Sequence, residues 1–239
     1  MNLSIIMAYK LDTDIRKRHL RWTAKRYRAM FPKAELLIMK SISEGIGWTD
    51  FRKGVYINKG IERATRDNLL ITDIDIVLPK SSILKGIKML DKYSIVTPYN
   101  VIYKLNYKSS NKILFKKPLI QFPTPPLRQQ KKQILSPMHP QGIHLITRAN
   151  ALKIKGYDER FIGWGSEDSA FQMAAITLCG AFTKIDGIAL HFKHGIVKDR
   201  HKKRDAGING QLLEKYSEAF EDIDKMKVIL AERRDLIET

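Results

Sequence analysis

Three short stretches carry residues that could do chemistry. In "LLITDIDIVLP", residues 69–79, Asp73 and Asp75 stand where an apolar run ends. A strand so rich in Leu, Ile and Val is buried on both faces, and ionised carboxylates are costly there unless a basic side chain or a metal ion pairs with them. The i, i+2 spacing puts both carboxylates on one face of an extended segment, where they could share a divalent cation and the phosphate oxygens bound to it. In "GYDERFIGWGSEDSAF", residues 156–171, glycines surround Trp164, and Glu167 and Asp168 then open a helix. Carboxylates at a helix N-terminus also serve as ordinary caps. In "HFKHG", residues 191–195, His191 and His194 precede a glycine and could add one or two imidazoles to a metal already held by carboxylates. Each stretch is ambiguous alone; their joint occurrence is not.

The elements that must position these residues alternate. "LSIIMAY" reads as a buried strand. A helix follows over "DTDIRKRHLRWTAKRYRAMF", with Ile15, Leu20, Ala24 and Tyr27 on its apolar face. "AELLIMK" is a second strand, "FRKGVYINKGIERAT" a second helix, and "NLLITDIDIV" a third strand with the acids at its end. This order implies an α/β fold with a mostly parallel sheet and helices on both faces, in which ligands sit beyond the carboxyl ends of the strands. A helix over residues 81–90 and the strand "SIVTPY" continue the pattern. Residues 100–140, with six prolines and scattered aromatics, read as a long irregular functional loop. Regularity resumes with "GIHLITRANALKIKGYDERF", a helix near residues 167–178, the strands "AFTKI" and "GIALHF", and one charged helix over about residues 208–232.

The chain has 239 residues, 43 Lys and Arg against 25 Asp and Glu, and a net charge of +18. Its single Cys179 excludes an internal disulfide and a Cys-based zinc site, and fits a reducing compartment. No run of about 18 apolar residues occurs, so the expectation is an unexported, cytoplasmic protein (host cytoplasm if viral), open to peripheral contact with a membrane. The charge is concentrated. Between Lys92 and Tyr157 there are twelve Lys and Arg and no acid; "RKRHLRWTAKRYR" (16–28) and "KDRHKKR" (198–204) are further basic clusters. Such clusters favour a polyanionic partner, whether nucleic acid, anionic membrane or phosphorylated substrate.

The motifs as a set resemble the GT-A fold glycosyltransferases. "KGVYINKGIERATRDNLLITDIDIVLP" is similar to their Asn-x-Gly-Ile helix, apolar strand and Asp-x-Asp. "GYDERFIGWGSED" looks like the Gly-Trp-Gly-Gly-Glu-Asp element of β-1,4-galactosyltransferases and chondroitin-polymerase-type enzymes, and "HFKHG" falls where those galactosyltransferases carry Met-x-x-His. Glycosyltransferase family 2 shares the pattern. The resemblance implies a single GT-A domain over residues 1–239: a nucleotide-sugar-binding half (1–98), an acceptor and catalytic half (99–207) and a C-terminal helix (208–239). It implies a manganese or magnesium ion on Asp75 and His194, with His191 where the family often has Met. It further implies Asp168 as general base, Glu167 and Trp164 against sugar or acceptor, and Tyr9, Asn58, Asp73 and Gly165 around the donor. Two positions depart from the pattern. Lys40 and Ser41 replace acids that read the nucleotide base, and Ser166 replaces a glycine, expected to be a small change.

The expected activity is metal-dependent, inverting transfer of a sugar from a nucleoside-diphosphate sugar to a hydroxyl, with a Gly- and Trp-lined setting raising the basicity of Asp168. The basic segment adds an expectation about the acceptor. Its charge, interleaved with Tyr99, Tyr103, Tyr107, Phe115 and Phe122, suits phosphates and bases. A hydroxylated base in DNA is favoured, contacted by Lys116, Lys117, Lys131 and Lys132. The alternatives are a membrane-associated transferase of surface or phosphorylated glycans and a non-catalytic nucleic-acid-binding protein on the same fold. No protein partner is expected.

Overall fold

The computed structural model describes residues 1–10, 13–41, 51–116, 121–123, 131–134, 142–163, 165–195 and 207–236. β1 (Leu3–Tyr9) is buried along its whole length, as its unbroken apolar run requires. α1 (Asp14–Met30) starts where the Thr13 hydroxyl accepts a hydrogen bond from the Arg16 amide. β2 (Glu35–Lys40), α2 (Lys53–Arg63) and β3 (Asn68–Thr72) complete the first repeats. Then come β4 (Ile76–Val77), α3 (Lys80–Met89), β5 (Ile95–Thr97), β6 (Val101–Lys104), α4 (Tyr107–Leu114) and β7 (Lys131–Ile134). The chain continues through β8 (Ile143–Thr147), α5 (Arg148–Lys153), α6 (Glu167–Cys179), β9 (Phe182–Lys184), β10 (Ile188–His191), α7 (Ile208–Glu218) and α8 (Ile223–Ala231).

The main sheet has the order β2-β1-β3-β8-β5-β9, and only β8 runs against its neighbours. Alternate residues of its strands feed two cores. Ile6, Leu69, Ile71 and Ile146 pack under α2, α5, α6, α7 and α8, while Ile5, Met7, Leu70 and Leu145 pack under α1 and α3. A second sheet, β4-β10-β6-β7, stacks Val77, Leu190 and Phe192 on Trp22 of α1 and on Ile113 and Leu114 of α4. The expected α/β architecture with helices on both faces is present.

Several boundaries differ. The third strand does not run to residue 77. It stops at Thr72, the Asp73 amide donates to the Gly142 carbonyl, residues 74–75 turn, and β4 joins the second sheet. The 100–140 segment is not irregular throughout, because β6, α4 and β7 lie within it, α4 being capped by the Asn106 side chain. Two four-residue strands and an eight-residue helix are too short for a period to be recognised in the sequence. The C-terminal helix is two helices, since Glu221 takes a left-handed conformation (φ 65°) and Asp222 caps α8. Finally, the buried stripe of α1 includes Arg16, His19, Thr23 and Arg26 beside Ala24 and Tyr27, so charged residues lie where the pattern placed apolar ones. Among the described residues no helix is long and apolar enough to cross a membrane.

Candidate active site

The end of the Asp-x-Asp turn meets the end of β10. The β4–β10 pairing sets His191 opposite Ile76, and the Phe192 amide donates to the Asp75 carbonyl (2.8 Å). This register fixes Asp75, His191 and His194 in one cluster, each offering one ligand atom, all within 4.8 Å of one another. The His194 Nε2 lies 3.3 Å and the His191 Nε2 3.8 Å from the Asp75 carboxylate. The His194 Nδ1 donates to the Gly195 carbonyl (2.6 Å), which turns Nε2 towards Asp75. Burial raises the Asp75 carboxyl, but His191 and His194, with Arg16 and His19 behind them, outweigh burial and hold it at about 2. Burial lowers His191 to about 4, only partly offset by Asp75. One ionised carboxylate and one neutral imidazole are the protonation states a divalent cation takes up, and oxygen with nitrogen is a donor set that suits manganese.

A second cluster lies two residues back along the same turn. The Lys53 ammonium, in the first turn of α2 and nearly buried, meets three carboxylates: Asp73 at 3.1 Å, Glu167 at 3.3 Å and Asp168 with both oxygens at 3.1 Å. Asp168 also accepts a hydrogen bond from the Tyr157 hydroxyl (3.1 Å) and faces the His144 Nε2 at 3.6 Å. One cation among three acids cannot satisfy all of them. Burial lifts Glu167 to about 7, helped by the Asp168 charge, and lifts Asp73 to about 6 against the pull of Lys53. Asp168 goes the other way. Burial alone would raise it, but Lys53, followed by His144, holds it well below the ordinary carboxylate range. The Lys53 ammonium is raised well above its ordinary value, the three acids overcoming burial.

The supports come from distant parts of the chain. The Asn58 amide donates to the Tyr157 carbonyl and to Glu159 and accepts from the Tyr157 amide, tying α2 to the turn that leads into Glu167 and Asp168. Gly156 (φ 62°) closes that turn against Asn58, and a Cβ there would collide with the Asn58 amide. Asn209 of α7 accepts from the Ile162 amide and donates to the carbonyls of Ile162 and Gly165, bracing the loop from the other side. Gly142 (φ 66°) leaves the space that the Asp73 carboxylate occupies.

The structure thus joins Glu167, Asp168 and Asp73 in one cluster and Asp75, His191 and His194 in the other. Asp73 and Asp75 do not share a face as expected: they lie in a turn, and their side chains go to different partners. The expected rise in basicity falls on Glu167, not Asp168, because Lys53 pairs most closely with Asp168. Asn58 holds backbone and Glu159, so its effect on the donor site is indirect. Tyr9 ends β1, largely buried. Gly165 stands just before Ser166, which adopts φ 78°, a left-handed conformation that favours glycine, so this departure is not the small change expected. Trp164, Lys117 and the whole 198–204 cluster lie outside the described residues. Lys116, Lys131 and Lys132 are exposed, as are Tyr107 and Phe115, whereas Tyr99 is in the core. Lys53, His144, Tyr157, Gly142 and Asn209 were not singled out from sequence. Only Lys53 left a signal, as the lysine opening the helix that carries the Asn-x-Gly-Ile motif.

Comparison with known proteins bears on the fold. Residues 133–195 match the family model described as the N-terminal domain of galactosyltransferase. The catalytic domain of Drosophila β1,4-galactosyltransferase 7 in complex with xylobiose superposes with a TM-score of 0.50 at 15% identity, covering 90% of this chain and 79% of that one. A mutant of the same Drosophila enzyme in complex with manganese, UDP-Gal and xylobiose gives a TM-score of 0.51 at 15% identity, covering 90% and 80%. No curated protein matches the chain by sequence. The fold is that of the GT-A galactosyltransferase catalytic domains.

Proposed function

We propose that the protein is a metal-dependent, inverting glycosyltransferase that moves a sugar from a nucleoside-diphosphate sugar to a hydroxyl of a glycan acceptor. The observation that carries the reading is the pair of adjoining clusters, a carboxylate–imidazole triad and a Lys-centred acid group, joined by the two-residue step from Asp73 to Asp75. Asp75, His191 and His194 would hold the cation. Bound there, manganese would act as a Lewis acid on the diphosphate leaving group.

The rest of the chemistry falls to the acid group. Asp168 is ionised at neutral pH and held in place by Lys53 and the Tyr157 hydroxyl, so it is ready to take the acceptor proton. Its weak basicity suffices if the proton leaves late, when the attacking hydroxyl has become strongly acidic. Glu167, poised near neutrality, can donate or accept a hydrogen bond to a sugar hydroxyl. Asp73, the member of the acid group two residues from Asp75, is placed for a ribose or sugar hydroxyl to bridge the two clusters. With one base and no second nucleophile assigned, attack is in line, with inversion.

A glycan acceptor is favoured because both superposed Drosophila structures hold xylobiose, and one of them manganese and UDP-Gal as well. The second reading is the hydroxylated base in DNA. It rests on the acid-free stretch between Lys92 and Tyr157 and on the exposure of Lys116, Lys131 and Lys132.

The test is hydrolysis and transfer with a panel of nucleotide sugars, with and without manganese, offering xylosides, other glycans and hydroxymethylated DNA. Activity should require the metal and fall at least about a hundredfold in Asp75→Ala and His194→Ala. Metal-independent turnover, or no turnover with any donor, would remove the reading. Label entering only DNA would transfer it to the second acceptor.

A further inference from the structure

The outward surfaces of α1 and α4 belong to neither cluster. On α1 the exposed residues Arg18, Arg21, Lys25 and Arg28 recur at three- and four-residue steps and form one stripe. On α4 and its end, Lys108, Lys112 and Lys116 are exposed in the same way. The only acid on either helix is Asp14, at the start of α1. Among the described residues no ion pair engages any of these seven cations. The two helices are joined where the Trp22 indole donates to the Lys116 carbonyl (3.0 Å) and the Arg18 guanidinium lies over the Phe115 ring (5.1 Å). Phe115 is 75% exposed and Tyr107 49%. Solvation alone accounts for a mixed-sign helix face, but not for seven cations of one sign around a projecting apolar ring.

We infer that this paired face of α1 and α4 docks the protein on an anionic lipid surface, with the cations on the headgroups and Phe115 entering the headgroup–acyl boundary. The chemistry separates this partner from nucleic acid. A wholly apolar ring has no counterpart on a phosphate backbone, and one face of Phe115 is already covered by Arg18, so it makes a poor platform for stacking a base. At a lipid interface the same ring gains by burial while each Lys and Arg gains from the negative surface potential.

The position of the face gives docking a consequence. Lys193, next to the proposed ligand His194, donates through its amide to Ser110 of α4 (2.8 Å) and sets its ammonium 5.9 Å from the Tyr107 ring. Through Lys193 and the exposed Tyr107 the start of α4 borders the segment that carries His194, and an acceptor glycan carried on a lipid would be presented there. That last step rests on the transferase reading; the docking itself does not.

The experiment is co-sedimentation of the full chain with phosphatidylcholine vesicles with and without phosphatidylglycerol, over a salt series, with donor hydrolysis read on the same samples. Binding should require phosphatidylglycerol and weaken with salt. The triple substitution Arg18→Gln, Arg21→Gln, Lys25→Gln should lower it about a hundredfold, at roughly fivefold per charge, and leave donor hydrolysis unchanged. Lys108→Gln with Lys112→Gln should weaken it independently, and Phe115→Ser should reduce what survives at high salt. Equal binding to both vesicle types, unchanged binding in the triple variant, or displacement of the vesicles by duplex DNA held through the same residues would overturn the inference. Loss of hydrolysis in the wild-type samples with vesicle binding intact would instead count against the transferase reading.

Discussion

The Lys53 ammonium should be the group whose removal the site tolerates least, and in a way that depends on pH. Consider Lys53→Met, which keeps the apolar stem and removes the charge. The three facing carboxylates, at 3.1–3.3 Å, lose their shared cation. Breaking a buried ion pair by deleting one partner costs about 3–5 kcal/mol, because the remaining charge is left uncompensated. Part of that is recovered by protonation, for which Glu167 and Asp73 are already prepared at about 7 and about 6. The sign follows from Asp168. Held below its ordinary value by Lys53, it contributes stability above that value and loses it as the pH falls through the lowered one. Without Lys53, burial and its acidic neighbours raise it, so ionising it costs stability as the pH rises. The gap between wild type and variant should therefore be smallest in acid well below about pH 4, be already present near pH 4–5, and widen to about 3–5 kcal/mol by about pH 8. In melting temperature that is on the order of 10 °C for a chain of this size. Urea unfolding across that range measures it. A gap that does not change with pH, or none at pH 8, would refute the account of Lys53 as the counter-charge of the acid cluster.

Two further outcomes follow from the same geometry. Asp168→Asn should abolish transfer by about a hundredfold or more while donor binding in the presence of manganese stays nearly intact; Glu167→Gln should keep substantial rate and flatten any alkaline limb near pH 7, and the reverse result would exchange the two roles. Ser166→Gly should stabilise the protein by about 1 kcal/mol in thermal unfolding, since it relieves the left-handed conformation just before α6, and a lower melting temperature would show that the serine side chain has a use that outweighs its strain.

What could be read from the sequence was whatever carries a period or a rare juxtaposition. β1 and β3 are recognisable because each is a continuous apolar run, and α6 because two acids and a glycine loop mark its start. The metal triad was legible because Asp75, His191 and His194 are chemically unusual at strand ends, and the β4–β10 register brings those ends together. What escaped depends on long-range pairing. Nothing local says that Asp73 turns towards Lys53 while Asp75 turns away. The turn arises because β3 runs out where its antiparallel partner β8 begins after Gly142, and a strand reversed within a parallel sheet leaves no mark on its own sequence. The same reversal sets His144, opposite Ile71 in that pairing, where its Nε2 faces Asp168 from inside the sheet. The basicity of the two acids was misjudged for the same reason, because a carboxylate's pKa belongs to its neighbours in space. Asp168 reads as the more hydrophobically enclosed acid until Lys53 is brought 115 residues along the chain to meet it. The acid cluster is thus produced by the topology of β8 as much as by the motifs themselves, and a substitution that disturbs β8 should act on Asp73, Glu167 and Asp168 together before it reaches Asp75.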